Sequence, residues 1–188
     1  MKPILFNTEM VRAILDGRKT VTRRIVKLPK HIKKQEDEYY TLFADGHRYE
    51  DYCFAQVKDY INPPHKIGDM LYVRETFFPD YDEDGNAKSF YYKTDYNKEH
   101  QQEMRWKPSI HMPKDAARIF LKVTGVRIER VQNINEDSAV TEGFSPVSWL
   151  SARDLFANTW QYIYLNWDAN PWVWVIEFER CDGKEVIG

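Results

Sequence analysis

The C-terminal segment is the feature that most restricts how this chain can fold. Between residues 172 and 180, large apolar side chains occupy every second position. They are Trp172, Trp174, Ile176 and Phe178. This period of two is typical of a β-strand. Two more strands are predicted, at 70–77 after a Gly-Asp turn and at 118–131, where Gly125 favours a bulge or bend.

Short helices separate the predicted strands. We expect them at 8–16, 136–142 and 152–164, each preceded by a residue that can cap a helix. Residues 29–66 fit the pattern least, and we interpret them as an insertion over the sheet, with a hairpin arm at Tyr39 to Phe43 that turns at Asp45-Gly46. The order of the elements predicts an α+β fold, a small β-barrel with short flanking helices, in one domain over residues 1–188.

Charge and composition limit what the chain can bind and where it acts. The formal net charge of the 188 residues is −2, so any binding to nucleic acid must occur through a local patch or pocket. The chain has no apolar stretch long enough for a membrane span or a signal peptide. Cys53, Cys181, the histidines and the carboxylates show no zinc-site spacing, which argues against a zinc-dependent deaminase. We therefore expect a cytoplasmic protein with no metal, no cofactor and no membrane contact.

The strongest chemical signal is the basic segment 17–24, Gly-Arg-Lys-Thr-Val-Thr-Arg-Arg, where a helix meets a strand. One interpretation is a solvated edge strand whose cations prevent edge-to-edge pairing. The other puts Lys19 and Thr22 at the mouth of the barrel, where partial burial lowers the pKa of the lysine and allows it to act as a base. Residues three apart on a strand face opposite ways, so Lys19 must lie in the turn before the strand to meet Thr22.

This segment resembles the hallmark of the ASCH family, G-x-K-x-x-x-x-R, with Gly17, Lys19 and Arg24 at the fixed positions. Many members have Glu where this chain has Thr22. The branch with Thr there includes bacterial N(4)-acetylcytidine amidohydrolases, which are described as using a Lys, a Thr and a downstream Glu. The resemblance implies that these three residues are Lys19, Thr22 and Glu142.

Other segments extend the resemblance over nearly the whole chain. Residues 68–73, 134–144 and 174–178 are similar to the Gly-Asp turn and strand, the strand-to-helix segment and the closing strand of the family. A larger subgroup, common in phages and prophages, has segments similar to residues 73–77, 108–113 and 170–178. The resemblance implies a PUA-like β-barrel with a pocket for a nucleobase.

Five further residues are predicted to bind substrate. They are Arg24, Arg74, Trp106, Ser109 and His111. Each has a structural alternative: Arg24 as part of a solvated edge, Arg74 in an ion pair, Trp106 in packing, and the last two as surface residues of a proline-bounded loop.

The leading hypothesis is an amide hydrolase that removes an acyl group from a modified cytidine-like nucleoside. Lys19 would be the base, Thr22 or a water the nucleophile, and Glu142 would support the amine leaving group. The alternatives are a non-catalytic module that binds RNA or another nucleic acid, and a ribonuclease. The expected partner is thus a modified nucleoside or RNA. A position at the barrel mouth also predicts that replacement of Lys19 leaves the fold intact.

Overall fold

A computed structural model describes residues 1–35, 40–44, 47–97, 99–102 and 104–181. The strands are β1 (Lys2–Leu5), β2 (Val21–Ile25), β3 (Ile32–Lys34), β4 (Tyr40–Ala44), β5 (His47–Tyr52), β6 (Met70–Arg74), β7 (Phe77–Tyr81), β8 (Ala87–Tyr92), β9 (Phe120–Arg130) and β10 (Trp172–Cys181). The α-helices are α1 (Thr8–Leu15), α2 (Phe54–Val57), α3 (Glu136–Thr141) and α4 (Ala152–Tyr164). In this part of the chain, no helix has both the length and the apolar character needed to cross a lipid bilayer.

Five strands form the main sheet, in the order β1-β6-β9-β10-β2. β1 runs parallel to β6, and the other neighbours are antiparallel. The three strands predicted most firmly from the sequence are its inner strands. Opposite Gly125, the pairing of β9 with β10 shifts register, which confirms the expected bulge. The α+β class is therefore confirmed.

The sheet is open in the residues that the structure describes, so the expected closed barrel is not formed. β1 and β2 are its two edges. A side chain bridges them in place of a backbone ladder, because Arg24 Nη2 donates to the carbonyl oxygen of Leu5 at 3.0 Å. The two edges thus approach each other without pairing.

The 29–66 segment forms its own small sheet, in the order β3-β4-β5, followed by α2. Phe54 stacks on Trp172 with ring centroids 4.1 Å apart, and Tyr40 packs on Phe54. The insertion is therefore fixed to the end of the main sheet. The expected turn at Asp45-Gly46 lies outside the described residues. A separate hairpin of β7 and β8 follows β6.

The alternation in β10 produces two hydrophobic cores, one on each face of the main sheet. Trp174, Ile176 and Phe178 belong to the core that contains α1, while Val173 and Val175 belong to the core that contains α4. β2 lies beside β10, with Thr22 opposite Ile176 and Arg23 opposite Val175. Successive side chains of β2 therefore face different cores, which decides what surrounds each residue of the basic segment.

The turn between α1 and β2 fixes the position of Lys19. Asn7 caps α1, and Gly17 follows it with a φ of +74°, in the left-handed region that favours glycine. The backbone N–H of Lys19 then donates to the Ala13 carbonyl at 2.9 Å, and that of Thr20 donates to the Thr141 carbonyl at 2.9 Å. Lys19 therefore lies in the turn before the strand, as predicted, and against the end of α3.

Candidate functional site

A buried ion pair joins the basic segment 17–24 to the end of α3. Lys19 Nζ lies 2.7 Å from Glu142 Oε2, and the two residues are 2% and 3% exposed. The same Nζ donates to the carbonyl oxygens of Val21 at 2.7 Å and Glu142 at 2.9 Å. Two residues 123 positions apart, both expected at the site, are thus in direct contact.

Glycine allows this contact at the end of α3. Gly143 follows Glu142 with a φ of +97°, and a Cβ atom there would lie 2.8 Å from Ala13 Cβ and 3.2 Å from Lys19 Cβ. Real Cβ atoms are essentially never as close as the first of these distances. A side chain at 143 would therefore push α3 away from α1 and pull Glu142 away from Lys19.

The charge state of Lys19 depends on two opposing effects. Burial lowers the pKa of the ammonium below its ordinary value, the carboxylate of Glu142 raises it, and the charges of Arg24 and Arg23 lower it further. The lowering prevails. Three acceptors surround Nζ, the number that a protonated lysine can satisfy. This arrangement can therefore hold the proton or release it to a neighbouring base.

Arg23 is the member of this cluster that sequence reasoning missed. It is 3% exposed, its Nη1 lies 3.2 Å from Glu142 Oε1, and its Nη2 lies 3.4 Å from Glu129 Oε2. Its Nε is buried without a hydrogen-bond partner among the described residues. Strand alternation placed Arg23 on the face away from Thr22, and no sequence signal showed that this face is buried beneath α4.

A small cavity of about 140 Å³ adjoins the ion pair at the edge of β2; we call it the β2 cavity. Its walls come from β1, α1, β2, the end of α3 and α4. The polar side chains at the centre of its lining are Thr22, Arg23, Arg24 and Glu142. The aromatic ones are Phe144, Phe156, Trp160 and Tyr164. A cavity of roughly 150 Å³ holds one benzene ring in another protein, so the β2 cavity is of the size of a single aromatic ring.

Thr22 brings a hydroxyl group to this cavity. Thr22 is 1% exposed and lines the cavity. Lys19 does not line the cavity itself, and its link to it is Glu142. The three residues predicted to be catalytic are therefore gathered at one place, with Thr22 and Glu142 in the wall and Lys19 in contact with Glu142.

The free edge of β2 adds backbone groups. Val26 N–H donates to Trp172 O, and Phe178 N–H donates to Thr20 O, so the even-numbered residues of β2 direct their backbone groups at β10. The backbone groups of Val21 and Arg23 consequently point away from β10. Lys19 donates to the Val21 carbonyl, and the N–H of Arg23 faces the same edge of β2.

Burial corrects one expectation about Lys19. Lys19 was expected at an exposed rim, where replacement leaves stability nearly unchanged, but its side chain is 0% exposed. Removing one member of a buried ion pair typically costs about 3–5 kcal/mol. Because Arg23 would still accompany Glu142, the cost for Lys19 should lie at the lower end of this range.

Arg24 is the one predicted binding residue that lines the β2 cavity. Its guanidinium lies 5.4 Å from the centre of the Phe6 ring, and Lys19 Nζ lies 5.5 Å from the same ring. Both cations therefore lie near the same ring, and the charge of Arg24 is one of the causes that lower the pKa of Lys19.

The other four predicted binding residues do not line the β2 cavity. Arg74 Nε donates to the Met112 carbonyl at 2.8 Å and its Nη2 to the Ile110 carbonyl, so it fixes the loop that contains Ser109 and His111. Trp106 Nε1 donates to the Gln101 carbonyl at 2.7 Å. Buried polar atoms of long side chains need partners, and these side chains find them in neighbouring loops.

Two larger clefts adjoin the β2 edge on the other side of Arg24. They measure about 550 and 780 Å³ and share Asn62, His65 and Trp174. Their basic lining residues are Arg24, Lys27, Lys58, His65 and Lys66, and we call them the basic clefts. Among the described residues that line them, none is a carboxylate. They can therefore accept an anion.

Within the described part of the chain, no three His, Cys, Asp or Glu side chains are grouped as metal ligands. Comparison with protein-family models, with curated proteins and with solved structures finds no match. The family resemblance of the motifs therefore stays a prediction, and the geometry of the β2 cavity has to carry the functional argument.

Proposed function

We propose that the chain is an amide hydrolase that removes an acyl group from the exocyclic amine of a cytidine-like nucleobase. One observation carries this proposal: a buried lysine–glutamate pair, Lys19 and Glu142, lies against a ring-sized cavity that also holds the Thr22 hydroxyl. A titratable cation with a lowered pKa beside a cavity is the usual setting of a general base.

The lining of the β2 cavity suits a substituted pyrimidine. Phe156, Trp160 and Tyr164 offer apolar faces on which a base can stack. Arg24 and the Arg23 N–H are donors for the ring carbonyl and nitrogen acceptors, while Glu142 can accept from an amide N–H. A cavity of this size holds the base alone, and the sugar would remain at its mouth.

In the reaction, neutral Lys19 accepts a proton, through Glu142, from the Thr22 hydroxyl or from a water. The resulting oxygen nucleophile attacks the acyl carbonyl, and the Arg23 N–H can donate to the oxyanion. The C–N bond then breaks, and the proton returns to the exocyclic nitrogen. Water attack yields a carboxylic acid and the amine directly. If Thr22 attacks, its ester is hydrolysed by a second step with water.

The experiment is incubation of the protein with a panel of N(4)-acylated cytidines and short acylated RNAs, with mass spectrometry of the products. We expect a free carboxylic acid and the deacylated nucleoside in equal amounts. The variant Lys19→Met, compared after correction for its folded fraction, is the matched control. Absence of product from every acylated substrate with folded wild-type protein would contradict the proposal.

The finer fold assignment belongs to the same proposal. The main sheet, whose two edges are linked by the hydrogen bond from Arg24 to Leu5, is compatible with a PUA-like barrel of the ASCH type whose closure is incomplete. An experimental structure with a base bound in the β2 cavity tests this, since ligand contacts on β1 and β2 together would draw the edges closer.

The basic clefts favour a second candidate, a non-catalytic module for nucleic acid. Arg24, Lys27 and Lys66 would contact phosphates there, and binding would weaken steeply with salt. Fluorescence anisotropy with a short RNA over a salt series tests this candidate. Lys27→Ala should then weaken binding, whereas Lys19→Met should not, because buried Lys19 cannot reach a phosphate.

A further inference from the structure

The buried cluster at the β2 cavity contains two cations for one carboxylate. Lys19 Nζ contacts Glu142 Oε2 at 2.7 Å, and Arg23 Nη1 contacts the other oxygen, Oε1, at 3.2 Å. All three residues are at most 3% exposed. A guanidinium keeps its proton under all ordinary conditions, whereas a lysine does not. The net charge of the cluster therefore changes when Lys19 gains or loses its proton.

The surroundings of Lys19 define which charges act on it. Glu142 faces it from the end of α3, and Arg23 and Arg24 face it from β2. On α1 and its turn, Arg18 is half-exposed and paired with Asp16. Behind Arg23, the ion pairs continue outward to Glu129, Arg127 and Glu177, in alternating sign. The outer members are solvent-accessible, so water screens them more than the inner three.

We infer that Arg23 is a positioning residue that determines whether Lys19 holds its proton. With Arg23 bound to one oxygen of Glu142, the buried trio is electrically neutral when Lys19 is uncharged and carries an excess positive charge when it is protonated. Burying an uncompensated charge is costly, so Arg23 favours the neutral lysine. The catalytic meaning of this inference rests on the proposed function, because a neutral Lys19 is the base of that reaction.

The lowered pKa of Lys19 agrees with this geometry: burial is its largest cause, and the charges of Arg24 and then of Arg23 lower it further. Arg24 differs from Arg23 in being partly solvent-exposed and in having no contact with Glu142. A purely structural Arg23, retained for its packing on the Phe156 ring at 5.8 Å, would leave the titration of Lys19 unchanged. The two roles are therefore distinguishable.

The test is an NMR titration of lysine side chains in protein labelled at the lysine Cε carbon. The Lys19 signal is assigned by its absence from Lys19→Met. In Arg23→Met, the midpoint of Lys19 should rise by about 1 pH unit or more, since a neighbouring charge at this distance typically shifts a pKa by about 1–3 units. Equal midpoints in wild type and folded Arg23→Met would overturn the inference.

Glu129→Gln is the second variant, because the Glu129 side chain is 24% exposed and its replacement disturbs the fold less than Arg23→Met does. It removes the acid that competes for Arg23, so the Lys19 midpoint should fall, opposite in sign to Arg23→Met. If Arg23→Met does not fold, an unchanged or raised midpoint in Glu129→Gln overturns the inference. The readout needs no substrate, so a failure of hydrolysis with shifted midpoints sinks only the proposed function.

Discussion

Among the residues that the structure describes, two buried glutamates have cationic partners, and the two regions differ in what the cation can do. Glu75 is 1% exposed and accepts from Arg118 Nε at 2.9 Å, Arg118 Nη2 at 3.2 Å and the Thr94 hydroxyl at 2.7 Å. Arg118 also pairs with Asp95 and stacks 3.8 Å over the Tyr92 ring. This network ties the β7–β8 hairpin region to the start of β9.

Glu142 has nearly the same burial but a titratable partner. Burial lowers the pKa of Arg118, yet its hydrogen bonds and charge interactions with Glu75 and Asp95 outweigh this and raise the pKa above its ordinary value. The pKa of Lys19 moves the other way. Glu142 also lines the β2 cavity, and Glu75 does not. A buried carboxylate therefore points to chemistry only when its partner can exchange a proton beside a cavity.

The largest expected effect distinguishes Lys19 from Arg118. Lys19→Met should lower hydrolysis of an acylated cytidine by about 10²–10⁴-fold, the usual contribution of a general base. Arg118→Lys should lower stability by about 1–2 kcal/mol through loss of its two-point contact with Glu75, and leave the rate per folded molecule unchanged. Initial rates, corrected for the folded fraction by thermal melts, check both. Equal rate losses in the two variants would end the distinction between the regions.

The next effect concerns stability and its dependence on pH. At neutral pH, Glu142→Gln should cost about 3–5 kcal/mol because it leaves buried Lys19 without a counter-charge and Arg23 with only its longer contact to Glu129, at 3.4 Å. Glu75→Gln should cost less, since Arg118 retains Asp95. Urea unfolding at about pH 7 and about pH 9.5 measures both costs.

The sign of the pH effect follows from Lys19. Between its lowered folded pKa and the ordinary value near 10.5, only the unfolded chain holds the proton, so stability rises with pH. Without Glu142 the folded pKa falls further, so this gain starts at lower pH in Glu142→Gln, and the cost of the substitution shrinks as pH rises. The cost of Glu75→Gln should stay constant, because arginine does not titrate there. A constant cost for both would show that Lys19 does not titrate between these two pH values in the folded protein.

A smaller effect is expected at Thr22, whose counterpart near Glu75, the Thr94 hydroxyl, donates to the carboxylate at 2.7 Å. Thr22→Ser retains the hydroxyl and should keep hydrolysis within about tenfold of wild type, while Thr22→Ala should lose about 10²-fold or more if the hydroxyl is the nucleophile. If Thr22 only orients a water, the loss in Thr22→Ala should also stay within about tenfold. Rapid quenching with mass spectrometry tests for the acyl ester that only a nucleophilic Thr22 forms.

Local sequence signals predicted the backbone better than the closure of the sheet. Asn7 and Gly17 delimit α1, and the alternation in 172–180 identifies β10, because these signals depend on neighbouring residues alone. Whether β1 pairs with β2 depends on a contact between distant segments. Sequence periodicity carries no information on such a contact, so the open sheet with its Arg24 bridge was not foreseen.

The candidate site was also predicted only in part, because burial depends on contacts between distant segments. The resemblance identified Lys19, Thr22 and Glu142, which the fold brings together. It did not identify Arg23, because a charged residue on a strand is expected to face solvent unless something covers it. Here α4 covers Arg23, but the capping signals of a helix do not show on which face of the sheet the helix packs. For Arg74, the neighbouring residues suggested a pocket or an ion pair, but the partners of its side chain are loop carbonyls.

The smallest expected effect on activity is at Arg74, which sharpens the comparison by adding an arginine that lies outside both buried glutamate clusters. Arg74→Met removes hydrogen bonds to the carbonyls of Ile110 and Met112, each worth about 0.5–1.5 kcal/mol. Stability should therefore fall by about 1–3 kcal/mol, while the KM for an acylated cytidine should stay within about twofold of wild type, because Arg74 does not line the β2 cavity. Arg24→Met, whose guanidinium does line it, should raise KM by about tenfold and serves as the matched positive control. A KM raised equally in both variants would mean that the 109–112 loop reaches the bound substrate, and that the site extends beyond the cavity.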